Sequence, residues 1–232
     1  MKNDYFNLVE FWNNSFVLTD EDKKELQKSI NPNEDWKQLA PSQKQLDTLS
    51  LFKDKELVLD YGCGSGWASI IMAKSAATRI DACDVASNSI TMLNAYKEAF
   101  KVDDKINAFA IDEKWLSKQK EATYDGFFCS NVIDVIPLEM AKDIIKQSAR
   151  VTKDNALVVF SLNFYADPEM MKERGYEIDG VNIYIDGILR LLSLSDEEWT
   201  DIFKEYYKKV SLSYYAWPGE QKEMRRLFIL EK

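Results

Sequence analysis

Residues 57–67 read LVLDYGCGSGW, an apolar run that ends at Asp60 and passes into glycines at 62, 64 and 66. Glycines so placed let the backbone take positive φ and let a ligand lie against main chain that a Cβ would block. A helix beginning near Ser65 turns its unpaired N–H groups into the same space. Such a loop serves to bind a nucleotide-like cofactor, and its spacing narrows the choice. A dinucleotide loop runs G-x-G-x-x-G, the third glycine allowing close helix-to-strand packing. Trp67 stands at that third position, so the string reads D-x-G-x-G-x-G instead.

Other acids stand where further strands would end. In IDACDVA, Asp84 lies about 20 residues beyond the glycines, where a carboxylate can accept from two ribose hydroxyls. Val85 beside it is placed to lie against an adenine face. Asp81, three residues earlier, falls within the strand. In FAIDEKW, Asp112 can accept an adenine amino group while Ile111 packs on the ring, or it can cap the helix that follows. In YDGFFCSNVIDVI, Asp125 opens a strand, and Ser130 and Asn131 stand at its mouth.

With its leading acid and alternating glycines, the first of these segments resembles the first motif of class I S-adenosylmethionine-dependent methyltransferases, and YDGFFCSNVIDVI resembles their fourth. The resemblance spans residues 56–162 and the C-terminal hairpin. It implies that Asp60, Tyr61, Gly62, Cys63, Gly64 and Gly66 hold the methionine part of S-adenosylmethionine, partly through water and backbone. It gives Asp84 and Val85 the ribose and adenine, Ile111 and Asp112 the far side of the base, and Ser130 and Asn131 the mouth of the fourth strand. The methionine part carries a carboxylate but no phosphate, so a glycine nest and a helix N-terminus suffice without lysine.

The fourth motif also bears on the acceptor. Members that methylate nucleobase or glutamine amide nitrogens usually carry Asn-Pro-Pro-aromatic or Asp-Pro-Pro-aromatic there, whereas this chain has Ser130-Asn131-Val132-Ile133. The general pattern is closer to the small-molecule group that includes ubiquinone and menaquinone biosynthesis methyltransferases.

These residues need elements to position them. From about residue 56, short apolar runs alternate with helical periodicity, the signature of βαβ units and a mostly parallel sheet. The runs predict strands at 56–60, 79–84, 106–111, 124–130 and 156–162. Between them, Ile90, Leu93, Tyr96 and Phe100 recur at helical spacing, as do Ala141, Ile144, Ile145 and Ser148; Ser87 is placed to cap the first helix, and Pro137 to open the second. A capping box at Ser195 and Glu198 starts a late helix, and strands at 209–217 and 223–231 follow, separated by Pro218 and Gly219. The expected fold is α/β, a Rossmann-like doubly wound sheet of seven mostly parallel strands with an antiparallel C-terminal hairpin and an N-terminal helical lid.

The expected domain is 51–232, preceded by a helical extension over 1–50 with capping boxes at Thr19 to Asp22 and Ser42 to Gln45. That extension carries Tyr5, Phe6, Phe11, Trp12, Phe16 and Trp36. It either covers the cofactor cleft as a lid or packs on the sheet as an extra layer. An insertion over 163–194 follows the fifth strand and holds Tyr165, Tyr176, Tyr184, Asp186 and Arg190. Tyr165, Tyr184, Arg190 and Trp36 are assigned to an acceptor pocket. Arg190 can meet an acidic acceptor, or pair with Asp186 at i,i+4 on a helix surface.

Composition excludes whole classes of chemistry. The 232 residues include no histidine, which removes imidazole bases, Ser-His-Asp catalysis and histidine-bound metal. Cys63, Cys83 and Cys129 form no C-x-x-C pair, so no metal site is expected. A net charge of −9 offers no basic footprint for nucleic acid. No secretory leader or membrane span is evident, and the expected location is cytoplasmic.

The expected activity is therefore in-line methyl transfer to a small-molecule acceptor, with release of S-adenosylhomocysteine. Tyr165 is the first residue to consider as a base and Asn131 as an orienting group. Two other readings remain: a catalytically silent S-adenosylmethionine-binding protein, and a nicotinamide-dependent oxidoreductase. Trp67 and the lack of a Tyr-x-x-x-Lys pair near the fourth strand oppose the second.

Overall fold

The computed structural model describes residues 2–77 and 79–232, with side chains from residue 5 onward. Three helices come first: α1 (Lys2–Ser15), α2 (Asp20–Ser29) and α3 (Gln43–Ser50), with a 3-10 turn at Asp35–Leu39. Then β1 (Leu57–Tyr61), α4 (Trp67–Lys74), β2 (Arg79–Asp84), α5 (Ser87–Phe100), β3 (Ile106–Ala110), β4 (Tyr124–Ser130), α6 (Leu138–Val151) and β5 (Thr152–Leu162) alternate. The insertion forms α7 (Pro168–Glu173) and a small antiparallel sheet of β6 (Glu177–Asp179), β7 (Asn182–Ile185) and β8 (Ile188–Leu192). Last come α8 (Asp196–Lys204), β9 (Lys209–Tyr215) and β10 (Arg225–Glu231).

The main sheet has seven strands in the order β3-β2-β1-β4-β5-β10-β9. Strands β1 to β5 pair in parallel, and β10 runs antiparallel to both β5 and β9. The expected α/β sheet with its C-terminal hairpin is what forms. Because side chains alternate across a strand, each strand feeds two cores. Leu59, Phe127, Phe160 and Phe228 face α6 and α8, whereas Val58, Phe128, Val159 and Leu227 face α3, α4 and α5. Each buried Leu, Val or Phe contributes roughly 1.5–3 kcal/mol. Strand order reverses between β1 and β4, which opens a crevice at their carboxyl ends.

Several local expectations change. β5 begins at Thr152, four residues early, because Thr152 pairs with Tyr124 across a bulge. The hairpin strands stop at Tyr215 and resume at Arg225, since Glu220 takes the Trp217 N–H and closes a loop instead. Ser87 is the first residue of α5 and not its cap; Asn13 of α1 accepts from the Asn88 N–H (3.0 Å) and the Ser87 hydroxyl (3.2 Å). The Ser42 box is only half formed, because the Gln45 amide reaches the buried Ser161 hydroxyl at 2.7 Å. Asp125 accepts from the Glu56 and Leu57 N–H groups and so fixes the start of β1. Asp186 and Arg190 do not share a helix: Asp186, at φ 53°, turns the chain between β7 and β8, and Arg190 lies on β8. Among the described residues, no helix is long and apolar enough to cross a membrane.

Candidate functional site

At the carboxyl ends of β1 and β4 lies a cavity of about 990 Å³. Asp60, Tyr61, Gly62, Cys63, Gly64 and Ser65 form one wall, and Asp84, Val85 and Ile111 continue it. The loop is held in shape from behind. The N–H groups of Gly62 and Cys63 both donate to the Cys83 carbonyl, at 2.8 and 3.0 Å. The Gly64 N–H donates to Asp84 Oδ2 at 2.9 Å, while the Ala86 N–H donates to Asp84 Oδ1 at 2.8 Å. A carboxylate has about four acceptor positions, so Asp84 keeps acceptor capacity for a ligand hydroxyl. Gly66, at φ 82°, does not line the cavity; it starts α4 in the left-handed region, tightly against Leu93.

Asp60 is buried and accepts from the Ser69 hydroxyl at 2.5 Å. Burial pushes its carboxyl up to about 7, with Asp84 adding to the rise and the Ser69 hydrogen bond opposing it. Burial also raises Asp84, against hydrogen bonds from Ala86, Gly64 and Val85 that favour its charge. Tyr5 is pushed up to about 12 by burial, then by Glu113, Asp84 and Asp112, so it stays a neutral phenol. The thiols of Cys63, Cys83 and Cys129 are raised well above the ordinary range by burial and act as no nucleophile at neutral pH.

The opposite wall comes from distant parts of the chain. Tyr5, Leu8, Val9, Trp12 and Phe16 roof the cavity, and the Phe16 ring would lie 3.4 Å from a Cβ placed on Gly64. Gln38, Leu39, Ala40 and Pro41 follow from the N-terminal segment, Met140 and Ile144 from α6, and Trp217 and Pro218 from the loop between β9 and β10. Trp217 is held by a guanidinium: Arg225 lies over its ring at 3.4 Å, donates to Glu220 at 2.8 to 3.0 Å, and donates to Asn163 Oδ1 at 2.6 Å. Ser130 and Asn131 also line the cavity. Asn131 adopts φ 55° and donates through Nδ2 to Asn163 Oδ1 at 3.4 Å; its own Oδ1 is buried without a partner.

Several sequence-predicted residues lie elsewhere. Asp112 is exposed and outside the cavity lining; it accepts from the Lys114 N–H and pairs with Lys118 at 3.0 Å, while the 3-10 turn that follows carries no side-chain cap. Tyr165 is 41% exposed and lies outside the cavity wall. Tyr184 packs with the core from β7, and Arg190 lies 4.1 Å over the Phe11 ring and 5.8 Å from that of Trp12. Trp36 packs against the core on the α3 and α4 side, leaving its neighbours Gln38 and Leu39 to line the cavity. The residues missed by sequence reasoning are chiefly Trp217 and the α6 face. Ile136, Met140 and Ile144 recur every four residues, a periodicity that marks a buried stripe without saying that part of it faces a ligand.

Residues 58–155 match the family of methyltransferase domains. The segment is a methyltransferase domain. A ribosomal protein L11 methyltransferase from Campylobacter lari is 33% identical over 112 residues, 47% of this chain and 36% of that protein. The matched stretch thus spans about a third of that relative's length. Among solved structures, the PH0226 protein of Pyrococcus horikoshii OT3 superposes with a TM-score of 0.65 at 15% identity, over 82% of this chain and 92% of that one. An S-adenosylmethionine-dependent methyltransferase from Mesorhizobium loti gives 0.57 at 14% identity, over 78% and 92%. These two likenesses establish the shared fold. The methyltransferase domain holds the glycine loop, Asp84, Asn131 and α6, while the roof from α1 and the wall from Trp217 come from outside the matched segment.

Proposed function

We propose that the whole chain transfers a methyl group from S-adenosylmethionine to a small-molecule acceptor and releases S-adenosylhomocysteine. The observation that carries this reading is one cavity, bounded by the glycine loop and Asp84 on one side and by aromatic residues from outside the methyltransferase domain on the other. Its volume of about 990 Å³ stands at the top of the range of roughly 300–1,000 Å³ typical of small-ligand sites, which suits a cofactor with a modest acceptor beside it.

In this reading the loop from Asp60 to Gly64 receives the methionine part, Asp84 accepts from the ribose hydroxyls, and Val85 and Ile111 flank the adenine. The cofactor supplies a methyl already activated on a sulfonium, so the protein's share is orientation and exclusion of water. Asn131 orients the acceptor at the mouth of β4. Tyr165 is too far out on the surface to serve as base, and Tyr5 is a neutral hydrogen-bond donor. Residues 1–50 act as a cover over the cofactor, and 51–232 as the domain beneath it.

Thermal unfolding with S-adenosylmethionine, S-adenosylhomocysteine and NAD in parallel tests the reading. A ligand at about 100 times its Kd adds roughly 2.7 kcal/mol, which for a chain of this length raises Tm on the order of 5–10 °C. Shifts with the two adenosyl compounds alone, with S-adenosylhomocysteine accumulating when an acceptor is added, are expected. A shift with NAD alone overturns the reading, and cofactor binding without turnover over a broad acceptor panel favours the silent binding protein.

A further inference from the structure

We infer that the acceptor is an apolar molecule carrying an amine or ammonium group, read by the carboxylates of Glu139 and Asp143; this rests on the methyl-transfer reading above. The charged side chains lining the cavity are Asp60, Asp84, Glu113, Glu139 and Asp143, and among the described residues no lysine or arginine lines it. Asp60 and Asp84 lie deep, against the glycine loop. Glu139 and Asp143 stand one helical turn apart on α6, at the exposed rim, beside the apolar Met140 and Ile144.

An anionic acceptor would meet like charge on entry, and no cation is poised to change that. Arg190 is committed to the Phe11 ring, and Arg225 to Glu220, Asn163 and Trp217. Lys142 reaches Glu139 at 3.4 Å, but both side chains are exposed and the lysine does not line the cavity. Such a pair holds weakly in water and yields readily to a bound cation. One further feature favours the same chemistry: the Asn131 Oδ1, at the cavity wall, is a buried acceptor with no donor. Of the two partners the sequence leaves open for Arg190, an acidic acceptor or Asp186, neither is the one it meets, which is the Phe11 ring.

The test is calorimetric binding to the full chain saturated with S-adenosylhomocysteine, using three probes of one shape: 2-phenylethylamine, 2-phenylethanol and 3-phenylpropanoate. The amine should bind about tenfold more tightly than the alcohol and more tightly still than the carboxylate, as complementary and like charges at a site demand. The preference should weaken in 0.5 M salt and collapse in the Glu139→Gln, Asp143→Asn double variant, whose affinity for S-adenosylhomocysteine stays unchanged. Amine binding that is undetectable, no tighter than that of the carboxylate, or untouched by the double variant overturns the inference. Failure of S-adenosylhomocysteine itself to bind overturns the methyl-transfer reading first.

Discussion

The two walls of the cavity are built on different principles. The wall at the glycine loop is short-range: residues 60–65, with Asp84 and Val85, are fixed by positive-φ glycines and by hydrogen bonds to Cys83 and Asp84 at the ends of paired strands. The opposite wall is long-range: α1, α6 and the loop at Trp217 meet there from three separate parts of the chain. A wall of the first kind tolerates almost no change. A wall of the second kind can be resurfaced without disturbing the sheet, so one fold can serve many acceptors.

The largest expected effect breaks the first wall. In Gly66→Ala the new Cβ falls 2.1 Å from Leu93 Cδ1 at a backbone of φ 82°, so strain and overpacking combine. The expected loss is about 3–5 kcal/mol by denaturant titration. Gly219 sits at φ 88° in the loop that carries Trp217 and Pro218, where an added Cβ would meet nothing within 4 Å, and there alanine should cost only about 1 kcal/mol. Equal losses at the two glycines would erase the distinction between the walls.

Asp60 sharpens it through pH. Its carboxyl is raised by burial from 3.8 to about 7 in the folded protein, so the folded state binds more protons than the unfolded one between those values. The stabilisation is full below about pH 4 and is lost as pH rises through 7, a fall on the order of 2–4 kcal/mol. Asp60→Asn should flatten that slope. S-adenosylmethionine, which carries a net positive charge, should bind more tightly as pH rises through 7 in the parent protein and not in the variant. A slope that persists in the variant would remove Asp60 from the account.

Asp84→Asn comes next. It keeps one acceptor oxygen but loses the charge, and cofactor affinity should drop about 10- to 100-fold, corresponding to roughly 1–3 kcal/mol for charged hydrogen bonds. Unchanged affinity by calorimetry would exclude the ribose role. Trp217→Ala tests the other wall: the KM of any turned-over acceptor should rise about tenfold while cofactor affinity holds. If cofactor affinity falls as KM rises, Trp217 belongs with the glycine-loop wall.

The same contrast explains what is legible in the sequence. The strands and the glycine loop rest on local patterns, apolar runs and φ preferences, and so are readable from residues 56–162 alone. Asp84 follows from a fixed distance to the glycines. Asp112 stands outside the cavity lining, exposed and paired with Lys118 six residues on, which no local pattern around it marks. The insertion misleads for a related reason: Asp186 and Arg190 fit a helical pair, but Asp186 and Gly187 take positive φ and turn the chain into a hairpin. Nothing in its neighbourhood could show that Trp217 would reach the cavity, since its position depends on Arg225 and Glu220 across a loop.

The smallest expected effect joins the insertion to the roof. Arg190 of β8 lies over Phe11 and near Trp12, and only Trp12 of these lines the cavity, so the guanidinium acts on the site through α1. A second tie holds α1 at its other side, where Asn13 accepts from the start of α5. Arg190→Ala removes one tie and leaves the other, which should cost about 0.5–1 kcal/mol. Amide exchange in α1 should then quicken by about two- to fivefold while the strands of the main sheet keep their protection. Cofactor affinity should weaken by the same factor if α1 must close over the bound molecule. Faster exchange with unchanged affinity would make α1 a fixed layer beside the site, and unchanged exchange would mean that Asn13 alone secures the roof.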